Sequence, residues 1–355
     1  MARALRLAER GVYTAHPNPM VGCVLVRNGE IVGEGWHERA GEAHAEIHAL
    51  QAAGGKARGA TAYLTLEPCS HEGKTPPCAP ALIEAGISEV IIAMQDPFPA
   101  VSGNGAAALE AAAIRVRSGL MEEAAQALNA GFLSRVRRGQ PFVRLKVASS
   151  LDGAIAMKSG ESQWITGPEA RDDVQRLRAR SGAILTGIGT VLADDPALNV
   201  RLEALDSRGR QPLRAVLDSH LRMPLSAGML AMPGETIVYC TDDARQQPLV
   251  DAGARVVRVP PAAGVLDARE VLADLAGREV NDVLVEAGAA VSGHLLSRRL
   301  VDELVIYQAP HIMGSETKPM FRTPDWIRLA DRLALDIVDL RRVGPDIRMT
   351  ARIRD

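Results

Sequence analysis

A histidine and a glutamate two residues apart, His44-Ala45-Glu46, with Pro68-Cys69 and Cys78 further along, constrain this chain more than any other feature. One imidazole and two thiols suit zinc. Three protein ligands leave a fourth position for water, whose pKa the metal lowers to about 7. A neutral imidazole and two thiolates balance the charge of Zn2+. A carboxylate beside these ligands, but not among them, can take a proton and deliver it to a leaving group. The local pattern agrees. His44 opens a helix predicted over 44–53 and ended by Gly54-Gly55. Cys69 follows a strand predicted over 61–66, and Cys78 opens a helix predicted over 78–85. A helix start favours thiolate through its orphan amides and the positive end of its dipole. His44, Cys69 and Cys78 are therefore the candidate ligands, and Glu46 the candidate proton carrier.

Each part has a plainer reading when taken alone. His44 is then a helix-end surface histidine, and the two cysteines are a structural zinc knuckle that His71 could close as a fourth ligand. The conjunction, in this order, favours an open and hydrolytic site. Zinc nucleobase deaminases carry H-x-E followed by P-C-x-x-C; here eight residues separate Cys69 from Cys78 instead of two.

At roughly 100–200 residues per domain, 355 residues favour two domains. The net charge of −2 and the 3% aromatic content offer neither a basic field nor a stacking platform for nucleic acid. No apolar run approaches the ~18 residues of a membrane span. The opening MARALRLAERG lacks the apolar core of a signal peptide. A cytoplasmic location is expected. Four cysteines in a chain this long are not a disulfide framework; Cys23 and Cys240 sit in apolar, strand-like runs and read as core.

Strands are predicted at 21–26 and 30–36, joined by the tight-turn pair Asn28-Gly29, then at 61–66, 88–94 and 114–117. Helices are predicted at 2–10, 44–53, 78–85, 105–113 and from 121. Segment 135–141 (RVRRGQP) is the linker candidate, dividing the chain into domains 1–140 and 141–355. In the second, strands are predicted near 142–148, 183–186, 213–217, 236–240, 255–259, 282–286 and 303–307, with helices near 168–180, 267–276 and 291–299. Such alternation indicates α/β layers. Gly187-Ile188-Gly189-Thr190 and the turn from Gly288 to Gly293 each follow an apolar strand. They read either as plain strand-to-helix turns or as places where amides approach a phosphate. Glu286 ends an apolar strand, where α/β folds bind ligands.

The segment 67–78, EPCSHEGKTPPC, identifies the kind of deaminase. Together with His16-Pro17-Asn18-Pro19, Val21-Gly22-Cys23-Val24 and Asp96-Pro97 it closely resembles the bifunctional riboflavin-biosynthesis deaminase/reductases of bacteria, whose motif has this extended cysteine spacing. The likeness continues through Lys146, Ala148-Ser149-Ser150-Leu151-Asp152-Gly153, Gly160-Glu161-Ser162-Gln163-Trp164-Ile165-Thr166, Thr190-Val191-Leu192-Ala193-Asp194-Asp195-Pro196 and Val285-Glu286-Ala287-Gly288. It covers essentially the whole chain.

The resemblance implies a cytidine-deaminase-like three-layer α/β/α domain followed by a dihydrofolate-reductase-like α/β domain, with Zn2+ and NADPH as cofactors. It implies deamination of 2,5-diamino-6-(5-phospho-ribosylamino)pyrimidin-4-one, then reduction of the ribosyl group to ribityl. Carried over by position, Asn18, His37, His71, Lys74 and Asp96 surround the first substrate. Lys146, Ser162, Arg178, Leu198, Arg201 and Glu286 surround the second. Ala148, Trp164, Thr190, Asp194, Ser219, Gly288, Gly293 and His294 hold the cofactor. Where many relatives place Asn after Asp96-Pro97 this chain has Phe98, which puts that contact in doubt. The expected partners are the phosphorylated pyrimidine and further copies of the chain, as a homodimer or homotetramer, with neither nucleic acid nor membrane. Two other readings make different demands. A nucleic-acid deaminase with an accessory domain wants a basic surface and the two-residue cysteine spacing. A non-enzymatic zinc and nucleotide-binding module wants a closed metal site.

Overall fold

The computed structural model describes residues 1–70, 76–98, 102–202, 204–262 and 264–354, and the architecture is that of these described residues. His71 and Lys74, expected at the first site, lie outside them. The contacts divide the chain into two compact units, Met1–Gly139 and Gln140–Asp355.

In the first unit, β1 (Gly22–Arg27), β2 (Glu30–Trp36), β3 (Thr61–Leu64), β4 (Glu89–Ile92) and β5 (Arg115–Ser118) form a sheet in the order β2-β1-β3-β4-β5. β1 runs antiparallel to β2 and β3, and β3, β4 and β5 are parallel. Six helices accompany it: α1 (Ala2–Ala8), α2 (Ala45–Ala53), α3 (Cys78–Glu84), α4 (Asn104–Ala111), α5 (Glu122–Leu128) and α6 (Ala130–Arg138). Side chains alternate along a strand, so each face gathers its own core. Leu25, Leu64 and Ile92 meet α2, α3 and α4 through Ala49, Leu82 and Leu109. On the other face Val24 and Tyr63 meet Ala4 and Leu7 of α1. The result is three layers, α/β/α.

Two departures from the sequence reading have identifiable physical causes. The helix expected from 121 is broken in two at Asn129. There the side-chain amide donates to the Met20 carbonyl at 2.9 Å and its oxygen accepts the Met20 N–H at 2.8 Å. Asn129 thus fixes the turn that follows Asn18. The basic part of the linker candidate is helix: α6 runs to Arg138, and Arg135, Arg137 and Arg138 occupy its last turn. Cations there oppose the negative end of the helix dipole, and Gly139, at φ 65°, ends the helix.

The second unit contains β6 (Phe142–Ser149), β7 (Ala154–Ala156), β8 (Ala183–Gly187), β9 (Leu213–Leu217), β10 (Thr236–Cys240), β11 (Arg255–Arg258), β12 (Pro261–Ala262), β13 (Val265–Leu266), β14 (Asp282–Val285), β15 (Glu303–Gln308), β16 (Lys318–Pro319), β17 (Leu335–Val343) and β18 (Asp346–Ile353). Nine of them form one sheet, β11-β10-β9-β8-β14-β6-β15-β18-β17; β12 pairs with β13, and β16 with β7. The sheet is parallel from β11 to β15, and β18 and β17 add an antiparallel edge. Its helices are α7 (Pro168–Arg180), α8 (Ile188–Asp194), α9 (Gln247–Asp251), α10 (Ala268–Gly277) and α11 (Ala289–Ser297). Leu145, Leu185 and Val283 pack against Val271, Leu275 and Leu295 on one face. Val174 and Leu177 of α7 cover Leu284 and Val305 on the other. The parallel strands read from sequence as near-continuous apolar runs, as doubly covered strands do. The final hairpin was not anticipated: seven of nine β17 residues are exposed, so core alternation does not mark it.

Candidate functional site

α2 sits close on the sheet because its facing stripe is Ala45, Ala49 and Ala53 and because the strand beneath carries glycine. A Cβ on Gly35 would stand 2.3 Å from the Ala45 carbonyl oxygen. This places His44, the N-cap of α2, and Glu46, in its first turn, at the mouth of the layer. α3 begins at Cys78, with Pro77 before it. The Cys69 carbonyl accepts the N–H groups of Cys78 and Ala79, and the Cys78 N–H lies 3.4 Å from the Cys69 sulfur. His44 Nδ1 lies 3.2 Å from Cys78 Sγ and 3.6 Å from Cys69 Sγ. All three donor atoms fall within 4.8 Å of one another.

The donor set fits zinc on charge as well as distance. A hydrogen bond from the Cys78 thiol, with His44 alongside, holds the Cys69 thiol well below the ordinary thiol range. Cys78, the sharer that keeps the proton, is pushed far up. Two sulfurs this close cannot both be anionic unless a cation replaces that proton. Glu46 is 3% exposed, and burial raises its pKa. Its Oε2 is buried with no hydrogen-bond partner. Such an orphan oxygen is costly, and here it belongs to the residue proposed to carry protons.

Three more predicted residues lie in this unit. His37, 2% exposed, has Nδ1 3.2 Å from the Ala43 carbonyl and Nε2 3.0 Å from Asn18 Nδ2. The carbonyl can only accept, so Nδ1 carries the hydrogen and Nε2 accepts from the Asn18 amide. Burial lowers the His37 pKa, in keeping with a neutral ring. His37 stacks edge-on to His44 at 5.4 Å. Asp96 is buried just beyond β4, and Oδ1 accepts the Phe98 N–H at 2.8 Å.

In the second unit a cavity of about 460 Å3 opens at the carboxyl ends of β6, β8 and β14, within the 300–1,000 Å3 range of ligand pockets. Lys146 and Ala148 line it from β6, Arg178 from α7, and Thr190 and Asp194 from α8. Glu286 and Gly288 line it beyond β14, and Ser162, Trp164, Leu198 and Arg201 line it as well. At its floor the Glu286 carboxylate takes two bonds from Arg178, Nε at 2.6 Å and Nη2 at 3.0 Å, with Lys146 Nζ 3.7 Å away. Burial would raise the Glu286 carboxyl, but the two cations overcome it and hold it at about 2. Lys146 is lowered, because burial and Arg178 outweigh the attraction of a carboxylate it must share.

Over its full length the sequence agrees with known proteins. A model of the cytidine and deoxycytidylate deaminase zinc-binding region matches residues 1–94, and one of the RibD C-terminal domain matches residues 141–349. The riboflavin biosynthesis protein RibD of Escherichia coli is 51% identical, over 98% of this chain and 96% of its own. The chain belongs to the RibD family. A solved RibD of Acinetobacter baumannii superposes with TM-score 0.92 at 44% identity, over 99% of this chain and 97% of that one. The diaminohydroxyphosphoribosylaminopyrimidine deaminase/5-amino-6-(5-phosphoribosylamino)uracil reductase of Thermotoga maritima gives TM-score 0.88 at 33% identity, over 100% and 97%. With both RibD domains present, the chain is an enzyme of two activities, deamination and reduction, in riboflavin biosynthesis. Its fold is the cytidine-deaminase-like and dihydrofolate-reductase-like pair, with zinc and NADPH as the cofactors of those domains.

Not every residue carried over from the RibD pattern lines the cavity. Ser219, Gly293 and His294 are not among its lining residues. The Ser219 carbonyl accepts from Thr241 at the end of β9. Gly293 is a packing glycine, since a Cβ there would meet the Arg322 carbonyl oxygen at 2.0 Å. Leu198 touches the cavity, yet its side chain is buried among Ile184, Ile188 and Val216. Trp164 is 69% exposed, its ring 4.8 Å from the Arg171 guanidinium.

Sequence reasoning overlooked Asn199, whose carbonyl accepts from Arg178 Nη1 at 3.1 Å and whose Oδ1 accepts from Arg201 at 3.2 Å. It also overlooked Glu67, which binds backbone amides beyond β4. Both adjoin predicted residues, and neither residue type announces such a role. Asp195 and Leu198 have φ of 39° and 43°, the left-handed region that costs ordinary residues energy. The Asp194-Asp195-Pro196 string is the only trace of that turn in the sequence.

Proposed function

We propose that the first unit deaminates 2,5-diamino-6-(5-phospho-ribosylamino)pyrimidin-4-one at the His44, Cys69 and Cys78 site, and that the second reduces the ribosyl group of the product to ribityl with NADPH. The observation that carries the first half is the orphan Glu46 Oε2 beside three converging ligands; a structural zinc site has no use for it. Zinc, when bound, supplies a nucleophile at neutral pH. Glu46 takes a proton at Oε2, holds it in a buried position and passes it to the departing amino group. His37, neutral and fixed through Nδ1, orients the Asn18 amide, whose oxygen can then accept from a pyrimidine amino group. Asp96 completes the ring contacts. His71 and Lys74 are assigned to the ring and the phosphate by family position alone.

In the second half NADPH, when bound, supplies hydride. The chain's residues hold the opened ribosylamine against it. Glu286 accepts from sugar hydroxyls while Arg178 and Lys146 keep it ionised, and Lys146 can donate to the reacting sugar oxygen. Ala148, Trp164, Thr190, Asp194 and Gly288 remain assigned to the cofactor, as do Ser219, Gly293 and His294 by family position. Because Glu286 already occupies the Arg178 fork, Arg201 is the stronger candidate for the phosphate. Arg201→Ala is expected to raise the reductase KM at least about tenfold, the loss of one charge-assisted contact, with ammonia release unchanged. Steady-state NADPH oxidation on deaminated substrate measures it, and an unaltered KM removes Arg201 from the phosphate site.

Purified protein is expected to carry about one zinc per chain, as one such ligand set allows. Cys69→Ser and Cys78→Ser should lose most of it; elemental analysis with full zinc in both variants would overturn the ligand set. The whole reading is tested by supplying the diaminopyrimidine ribotide and following ammonia and NADPH together. Ammonia release without NADPH oxidation, or neither, refutes it. The reading also takes the enzyme as cytoplasmic, and as a homodimer or homotetramer. Exposed Ile337, Val338 and Leu340 on β17 support association, and light scattering reads the assembly state. Among the described residues no helix is long and apolar enough to cross a membrane.

A further inference from the structure

We propose that Glu67 is a positioning residue for deamination: its carboxylate fastens the segment that carries Asp96 to the turn that carries Cys69. Glu67 lies between β3 and Pro68-Cys69 and is 4% exposed. Its Oε2 accepts the N–H groups of Asp96 at 3.2 Å and Gly103 at 3.0 Å, and its Oε1 accepts that of Ala106 at 3.1 Å. Its own N–H donates to the Met94 carbonyl, just beyond β4. Gly103 is the N-cap of α4 and Ala106 its third residue, two of the positions whose N–H groups a helix leaves without an internal partner. No side chain of α4's own N-cap residue serves them; Glu67 does so from a different strand end.

The approach is close. A Cβ on Gly105 would stand 1.9 Å from the Pro68 carbonyl oxygen and 3.3 Å from Glu67 Cγ. One residue therefore ties together the ends of β3 and β4 and the start of α4. The Pro68-Cys69 turn that follows it is bonded in turn to the start of α3 through the Cys69 carbonyl. The ligand Cys69 and the residue Asp96 keep a fixed separation because both hang on this joint.

The chemistry selects a glutamate. The groups converging on the side chain are all N–H donors, and an ionised carboxylate is acceptor only on both oxygens. Glutamine has the same length, but it must turn an NH2 toward at least one of those donors. Aspartate keeps two acceptor oxygens on a stem one methylene shorter and cannot span the same gap.

The inference rests on Asp96 binding the pyrimidine, so the test separates the two. In the full-length, zinc-loaded enzyme, Glu67→Gln is expected to keep its zinc and its reductase activity. Its deaminase KM should rise about tenfold with kcat within about threefold, the pattern of lost uniform binding. Glu67→Asp, too short to span the gap, should show a rise of the same kind and at least as large. The double variant Glu67→Gln/Asp96→Ala should be no worse than Asp96→Ala alone, since both act through one contact. Loss of zinc, a fall in kcat at constant KM, or additive penalties in the double variant would overturn the role of Glu67. So would an Asp96→Ala variant with raised KM beside a Glu67→Gln variant without it. An unchanged KM in Asp96→Ala overturns the assignment of Asp96, and the role of Glu67 with it.

Discussion

Glu46→Gln should abolish most deamination while leaving both the metal and the second activity in place. The substitution keeps the size of the side chain and removes only its ability to take and return a proton. A positioned acid/base is worth about 10²–10⁴-fold, so ammonia release should fall by at least about 10². Zinc should remain near one per chain, because the three ligand atoms already lie within 4.8 Å of one another without Glu46. The buried site tolerates the change sterically, and an uncharged amide is cheaper to bury than a carboxylate whose Oε2 has no partner. The variant should therefore unfold no more readily than the parent. Reduction of deaminated substrate should proceed at the parental rate, since the cavity that holds Glu286 is built wholly from residues of the second unit. Near-normal ammonia release from Glu46→Gln would remove Glu46 from the proton path. Zinc loss would recast it as a ligand.

The parts of the fold that were legible in the sequence are those where local pattern and burial agree. His44, Cys69 and Cys78 could be found because each opens or follows an element whose apolar rhythm is clear, and α2 and α3 begin within a residue of the predicted starts. The central parallel strands of the second unit could be found because both of their faces are buried, β8 and β10 throughout. What escaped was set by contacts far apart in sequence. Nothing near Asn129 says that its amide will bind Met20, 109 residues away, and so divide a helix. β17 was hidden because its side chains face outward, and the basic run 135–138 looked like a linker because charges at a helix end and charges in a loop look alike in sequence. The site residues divide in the same way. The candidate metal ligands carry their chemistry in their residue types. Glu67 works on the backbone amides of distant residues, and Asn199 reaches Arg178 through its own carbonyl; any residue possesses such groups, and only the fold brings them into place.

Glu286 carries the largest effect expected in the second unit, because one carboxylate answers two buried cations. Arg178 grips it through two bonds and Lys146 lies 3.7 Å away, with side-chain exposures of 10% for Glu286, 11% for Arg178 and 18% for Lys146. Glu286→Gln leaves both cations in a poorly hydrated place with no counter-charge. Removing one partner from a buried pair costs about 3–5 kcal/mol, enough to loosen the ends of β6 and β14 that meet here. Reductase kcat/KM should drop by about 10² or more, the same loss read in the transition state. NADPH affinity should stay within a few-fold, and ammonia release should be unaffected. The pH dependence gives an independent check. The folded carboxyl lies at about 2 against an ordinary 4.5. The stabilisation is therefore complete above about pH 4.5 and is lost as the pH falls toward 2, where the folded state too takes up the proton. The variant has no such group to titrate. Hydrogen exchange of the β6 and β14 amides in the full chain should consequently be much faster in Glu286→Gln than in the parent at pH 7, and the gap should narrow as the pH is lowered from 4.5. A gap that is constant across that window, or reduction within about threefold of the parent, would mean that the two cations find other partners and that Glu286 does not organise the site.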